Sequence, residues 1–283
     1  MEKREKPVEN DFGAMRTKEA PPQCILFDLD GTLTDPREGI TGCVQYALSK
    51  FGIEEPDRGR LEPFIGPPLT DSFREFYGFG EEKAKQAVDF YRERFSTEGV
   101  FENKIYPGIR EMLADLHGAG RRLAVASSKP TLFVEKILEH FGIRPYFDVV
   151  VGSELDGTRV RKEEVVEEAL RQLLCGSGNR TEPDRQPEAR HTEADAGKDV
   201  RCAGCRPNTI EELSELARRQ GTVMVGDRKF DVEGGQAYGL ACIGVSYGYA
   251  APGELEEAGA DVIVESVEAL RRELLREGER LKI

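Results

Sequence analysis

The chain has 283 residues, 39% of them hydrophobic and 33% charged, with a formal net charge of −13 and a mean hydropathy of −0.50. That is enough apolar material for one domain of ordinary size and a smaller one. The acidic balance speaks against a nucleic-acid backbone as partner, which needs a basic face, and no apolar run is long enough for a membrane-spanning helix.

Residues 1–22 are charged and lack an apolar h-region, so they read as a disordered tail rather than a secretory signal, with Met15 as an alternative start. The six cysteines sit mostly singly inside apolar segments, which suits a reducing compartment and a cytoplasmic location. Residues 23–28 form the first expected strand. Residues 37–51 follow as a helix, with Ile40, Val44, Ala47, Leu48 and Phe51 on one face. The prolines of Phe64-Ile65-Gly66-Pro67-Pro68-Leu69 force a loop, and helices are expected at 69–77 and 81–95. The whole stretch 36–104 is therefore helical and interrupts an α/β pattern, as an inserted cap would.

The alternation resumes with a helix from Ile109, a strand at 122–127, a helix at 131–140 and a strand at 147–151. Lys162 opens a helix whose Val165, Val166, Ala169, Leu170, Leu173 and Leu174 share a face. Strands at 222–225, 241–245 and 261–264, a helix near 231–238 and a closing helix at 267–277 complete the chain. Strands alternating with helices imply an α/β, doubly wound, mainly parallel sheet. The core is expected over 23–35 and 105–283. Residues 176–207 are polar, with Val200 as their one branched aliphatic side chain, and read as a disordered insertion within that core. Its Cys202-Ala203-Gly204-Cys205 could hold zinc only with two further ligands, for which Cys175 and His191 are the candidates; a free loop is the simpler reading.

The chemistry concentrates at strand ends. Ile25-Leu26-Phe27-Asp28-Leu29-Asp30-Gly31-Thr32 ends an apolar run in two carboxylates, where open α/β sheets place their ligands. Alternation puts both on one side, and such a pair can bind a cation, attack an electrophile or move a proton. Val125-Ala126-Ser127-Ser128-Lys129 ends the next strand. Lys162 stands at a helix start, where a cation is poorly placed on dipole grounds. Val225-Gly226-Asp227-Arg228-Lys229-Phe230-Asp231 carries two carboxylates four residues apart.

In this order the four segments closely resemble the motifs of the haloacid dehalogenase superfamily in its phosphatase form. The resemblance runs over about residues 23–264 and departs from the family in the 176–207 insertion. It implies that Asp28 is the nucleophile, forming an aspartyl-phosphate, and Asp30 the general acid and base. Gly31 and Thr32 would present backbone N–H groups to the phosphate; a Thr32 side chain that only caps the turn is the alternative. Ser127 and Lys162 would bind the phosphoryl group, with Arg159 and Arg161 as close competitors of Lys162; turn chemistry for Ser127 and a solvated charge for Lys162 are the plainer readings. Asp28, the Asp30 carbonyl and Asp227 would hold Mg²⁺, and Asp231 would either cap the next helix or support the metal and Lys162. The cap loop, with Phe64, Gly66, Pro67 and Pro68, resembles the phosphoglycolate phosphatase and 5′-nucleotidase-like branch, or is a simple helix connector. Arg37 and Arg74 are candidate contacts for an anionic substrate, or surface charges. The implied activity is Mg²⁺-dependent hydrolysis of a small phosphorylated metabolite, phosphoglycolate or a 5′-nucleotide. A phosphomutase of the same superfamily and a non-catalytic binding protein on this fold are the alternatives.

Overall fold

The structure, a computed structural model, describes residues 21–175, 207 and 209–275. All of the expected tail 1–22 but Pro21 and Pro22, all of the 176–207 insertion but Pro207, the paired Cys202 and Cys205, and the end of the last helix lie outside the described residues.

Cys24, Ile25, Leu26 and Phe27 are all buried and form β1 (Cys24–Phe27). Next come β2 (Thr34–Asp35), α1 (Arg37–Ser49), a 3₁₀ turn (Arg58–Phe64), α2 (Leu69–Tyr77), α3 (Glu81–Arg94), a π-turn (Phe95–Gly99) and β3 (Lys104–Ile105). The chain continues through α4 (Ile109–Gly118), β4 (Arg122–Pro130), α5 (Thr131–His140), β5 (Val149–Ser153) and α6 (Lys162–Cys175). It closes with α7 (Ile210–Arg219), β6 (Thr222–Gly226), α8 (Lys229–Gln236), β7 (Ala241–Val245), α9 (Glu254–Glu257), β8 (Val262–Val264) and α10 (Val267–Leu275).

Six strands make one sheet in the order β5-β4-β1-β6-β7-β8, and every pairing in it is parallel. A strand buried on both faces needs apolar residues at successive positions, and β1 supplies them. Its Ile25 and Phe27 face one apolar cluster with Met112 of α4, Val134 of α5 and Leu270 of α10. Its Cys24 and Leu26 face another with Val165 of α6, Leu213 of α7 and Val232 of α8. The sheet is thus covered on both sides.

Several features differ from expectation. β4 runs on to Pro130, carrying Lys129 into the sheet. β5 starts at Val149, because Phe147 still closes a 3₁₀ turn by donating to the Arg144 carbonyl at 3.1 Å, while the Asp148 carboxylate accepts the Leu123 N–H at 2.9 Å. β2 and β3 form an antiparallel ribbon, Thr34 opposite Ile105 and Asp35 opposite Lys104, and α1, α2 and α3 lie between its two strands. Apolar residues of these helices, among them Leu48, Phe73 and Val88, belong to the same cluster as Ile25 and Phe27.

Within the helical region Cys43 is fully buried with Arg94 Nη1 3.3 Å from its sulfur, and Arg94 also donates to both oxygens of Glu102 at 2.7 and 2.8 Å. Burial pushes the Cys43 thiol up to about 11, against the pull of that guanidinium. A raised folded-state pKa stabilises the fold below the ordinary value of 9.0 and loses that contribution as pH rises towards 11. We expect alkylation near neutral pH to spare Cys43 in the native protein and to modify it on unfolding, as read by pulsed labelling and mass spectrometry; rapid native labelling would contradict this burial.

Candidate active site

The sheet brings the expected residues together because β1 lies between β4 and β6. The Asp28 N–H donates to the Val225 carbonyl at 2.9 Å, which aligns the ends of β1 and β6. Asp28 and Asp30 are nearly buried, at 6% and 7% exposure, and Asp227 is completely so. Asp28, Asp227 and Asp231 each offer a carboxylate oxygen to a group spanning no more than 4.8 Å. Lys162, at the first turn of α6, drives its ammonium between two of them: Nζ lies 2.6 Å from Asp28 Oδ1 and 2.6 Å from Asp231 Oδ1.

These distances set the electrostatics. Burial alone would disfavour the Lys162 ammonium, but Asp231 and Asp28 outweigh it and hold its pKa above the ordinary lysine value. Burial pushes Asp231 up to about 6, against Lys162. Asp227 is pushed well above the carboxylate range by burial, then by Asp231 and Asp28, with the Tyr249 N–H pulling the other way. Burial also raises Asp30, opposed by the Lys129 ammonium, whose Nζ is 2.7 Å from Asp30 Oδ2.

The donor set fits a divalent cation. Asp227 Oδ2 accepts the Tyr249 N–H at 2.7 Å, but its Oδ1 is buried without a hydrogen-bond partner, as is Asp30 Oδ1. Buried, unpartnered carboxylate oxygens are costly unless something positive meets them. Asp231, by contrast, has both oxygens engaged: Oδ1 by Lys162 and Oδ2 by the Arg228 N–H at 3.0 Å, which caps α8. Asp231 therefore caps its helix and pairs with Lys162 through different oxygens, leaving Asp28 and Asp227 as the better cation donors.

The turn after Asp30 is tied to itself. The Gly31 N–H donates to the Thr34 carbonyl at 2.7 Å and the Thr32 N–H to the Leu29 carbonyl at 3.3 Å, so the turn itself consumes both groups that were expected to face a phosphate. The Thr32 hydroxyl is buried without a partner. Gly31 has a different necessity: at φ +83° a Cβ would lie 2.1 Å from Asp227 Oδ2. Only glycine lets the turn after Asp30 press against that carboxylate.

A cavity of about 160 Å³ is lined by Asp28, Asp30, Ser127, Lys162 and Asp231 of the sheet region and by Phe64, Gly66, Pro67 and Pro68 of the helical region. Arg37 and Arg74 do not line it; Arg37 Nε is bound to Glu62 at 2.5 Å. Lining residues beyond those expected include Tyr91, Phe95, Lys129, Phe133 and Arg228. Lys129 was within reach of sequence reasoning, since it follows Ser127 by two residues at the same strand end, the spacing that also relates Asp28 to Asp30.

With this geometry in view, comparison with known proteins is decisive. A family profile described as haloacid dehalogenase-like hydrolase matches residues 25–181, more than half of the chain. The chain belongs to the haloacid dehalogenase-like hydrolases. A second profile of the same hydrolase type matches residues 206–270. A 5′-nucleotidase of Pseudomonas aeruginosa is 44% identical to this hydrolase over 231 residues, covering 82% of this chain and 86% of that one. Tyrosine-protein kinase PtkA of Mycobacterium tuberculosis is 33% identical over 255 residues, covering 89% and 72%. The crystal structure of a predicted phosphatase from Clostridium acetobutylicum superposes with a TM-score of 0.72 at 40% identity, covering 90% of this chain and 99% of that one.

Proposed function

We propose that this hydrolase is a Mg²⁺-dependent phosphomonoesterase that works through an aspartyl-phosphate on Asp28. The observation that carries the reading is the Asp28 carboxylate held at the cavity floor by the Lys162 ammonium at 2.6 Å, with Asp30 beside it on the same floor.

The Asp28 oxygen attacks phosphorus as the bond to the leaving oxygen breaks, and Asp30 delivers a proton to that oxygen. Water then attacks the phosphorus of the acyl phosphate, Asp30 takes its proton, and the Asp28 carboxylate is released with inorganic phosphate. Burial, which favours a protonated Asp30, suits the first half; the nearby Lys129, which favours the carboxylate, suits the second. Lys162 balances the charge on Asp28 in the resting state, and Ser127, which lines the cavity, would donate its hydroxyl to a phosphoryl oxygen. Mg²⁺ held by Asp28, Asp227 and the Asp30 carbonyl would neutralise charge on the transferring group.

For the leaving group, the cavity favours a nucleoside over glycolate. Its upper wall is aromatic and aliphatic, with Tyr91 stacked on Phe95 at 5.2 Å and Phe133 edge-on to Phe95 at 5.1 Å, which suits a planar ring. Phosphoglycolate would need a cation for its carboxylate, yet Arg228 is bound to Ile65 and Glu254, Lys129 is paired with Asp30, and Arg92 donates to the Leu155 carbonyl at 3.1 Å. The 5′-nucleotidase relative supports the same choice. The relative named as a tyrosine kinase favours a second reading, in which a tyrosine hydroxyl takes the phosphoryl group in place of water.

Both are tested by one panel: phosphoglycolate, nucleoside 5′-monophosphates and sugar phosphates, with Mg²⁺ or a chelator, and separately a nucleoside triphosphate with a tyrosine peptide. Phosphate release from nucleoside monophosphates is expected to exceed that from phosphoglycolate by about tenfold or more and to vanish with chelator. Release unaffected by chelator would remove the metal, and phosphopeptide without phosphate would replace hydrolysis by transfer.

A further inference from the structure

A side chain joins the cap loop to the strand end that carries Asp227. Arg228 follows Asp227 directly, and its guanidinium reaches the cap, where Nη1 donates to the Ile65 carbonyl. Nε donates to Glu254 Oε1 at 2.9 Å. Glu254 is itself fixed to the core: Oε1 accepts the Lys229 N–H at 2.9 Å and Oε2 the Ala251 N–H at 3.0 Å. The ion pair is largely shielded, with the two side chains 13% and 11% exposed, so a charge-assisted bond there is not diluted by water as a surface pair would be.

The loop is shaped to receive the arginine. Gly66 has φ +107°, and a Cβ at that position would lie 3.1 Å from both Cγ and Nη1 of Arg228. Pro67 and Pro68 follow, with their φ angles restricted by their rings, and line the cavity beside Arg228. At its other end the same residue touches the chemistry, since the Arg228 N–H donates to Asp231 Oδ2 at 3.0 Å while Asp231 Oδ1 pairs with Lys162.

We propose that Arg228 is a positioning residue that latches the cap loop 65–68 onto the turn carrying Asp227, so that enclosure of the leaving group is set from the catalytic floor. The kinetic consequence rests on the phosphomonoesterase reading; the latch itself is a property of the fold. A guanidinium with two acceptors in fixed directions suits the task, whereas an ammonium can satisfy one of them well but not both with the same planar geometry.

The test is hydrogen exchange on the full chain, paired with KM and kcat for a nucleoside 5′-monophosphate. The amides to follow are those of Ile65, Asp71 and Ser72, which bond to the Glu62 and Pro68 carbonyls. In Arg228→Met they are expected to exchange about tenfold faster or more, the scale of losing one charge-assisted bond, while the amides of β6 keep their wild-type protection. KM should rise by about tenfold with a smaller change in kcat, as loss of ground-state enclosure predicts. Arg228→Lys should recover part of both effects. Should Arg228→Met fail to fold, Glu254→Gln, which weakens the anchor and spares the arginine, is read the same way. Unchanged exchange at Ile65, Asp71 and Ser72 overturns the latch, and equal acceleration throughout β6 reduces Arg228 to a general support of the fold. A wild-type enzyme silent towards every phosphate ester would overturn the phosphomonoesterase reading while the exchange measurement still decides the latch.

Discussion

Asp28→Asn is expected to abolish phosphate release, by about 10⁴-fold or more, in a protein that remains folded. The amide has the shape of the carboxylate but no charged oxygen to attack phosphorus. The fold should not suffer, because the substitution removes one of three carboxylates crowded within 4.8 Å, and Lys162 keeps Asp231 at 2.6 Å. The measurement is turnover with Mg²⁺ on the best substrate of the panel, alongside a thermal melt. Turnover within about tenfold of wild type would mean that Asp28 does not carry the phosphoryl group, whatever else the site does.

Lys162→Met is expected to cost both activity and stability. Lys162 is 6% exposed, and its Nζ is the cation between Asp28 and Asp231. Removing one partner of a buried charge pair leaves the others uncompensated, which typically costs about 3–5 kcal/mol. The loss should depend on pH in a definite direction. Asp231 already stands at about 6 against an ordinary 3.8, and without the ammonium its pKa rises further. A carboxyl raised in the folded state supports the fold below its unfolded pKa and withdraws that support as pH rises through the folded value. The variant should therefore approach wild-type stability near pH 4 and fall furthest behind above pH 6. Mg²⁺, if held by Asp28 and Asp227, should stabilise the variant more than the wild type, since it replaces the missing charge. Urea denaturation at several pH values decides it: a deficit that is the same at every pH would mean that Lys162 contributes packing and not charge.

The strands and the main helices were legible because each carries its signal locally. Cys24–Phe27 is an unbroken apolar run, and the helix from Lys162 repeats its apolar face over three turns. The amphipathic helix Ile210–Arg219 was not expected between the polar segment and the strand at Thr222, although its signal is local too. Thr209-Ile210-Glu211-Glu212 has the capping pattern, and the Thr209 hydroxyl does accept the Glu212 N–H at 3.2 Å. Other features have no local signal. Thr34–Asp35 is too short to show a period, and its partner Lys104–Ile105 lies some seventy residues away. Nothing in the sequence shows that the Gly31 and Thr32 N–H groups close back on their own turn, since that depends on the turn geometry and not on composition. Of the candidate site, the residues at strand ends could be named from the chain; Tyr249, whose N–H meets Asp227, and Arg228, which meets Ile65, could not, because each contact depends on how separate loops fold towards one another.

The central position of β1 has a consequence for how the protein is made. The strand that leads into Asp28 leaves the ribosome before its two neighbours, β4 and β6, which begin about a hundred and two hundred residues later, at Arg122 and Thr222. Pairings of such sequence separation are slow to form because the intervening chain must be ordered first. Until β6 emerges, the apolar stretch from Cys24 to Phe27 lacks one of its two edges and is a candidate for mispairing or chaperone capture. Chains interrupted before Asp227 would lack a wall of the sheet as well as a carboxylate, so no prematurely ended product should retain a fraction of the activity.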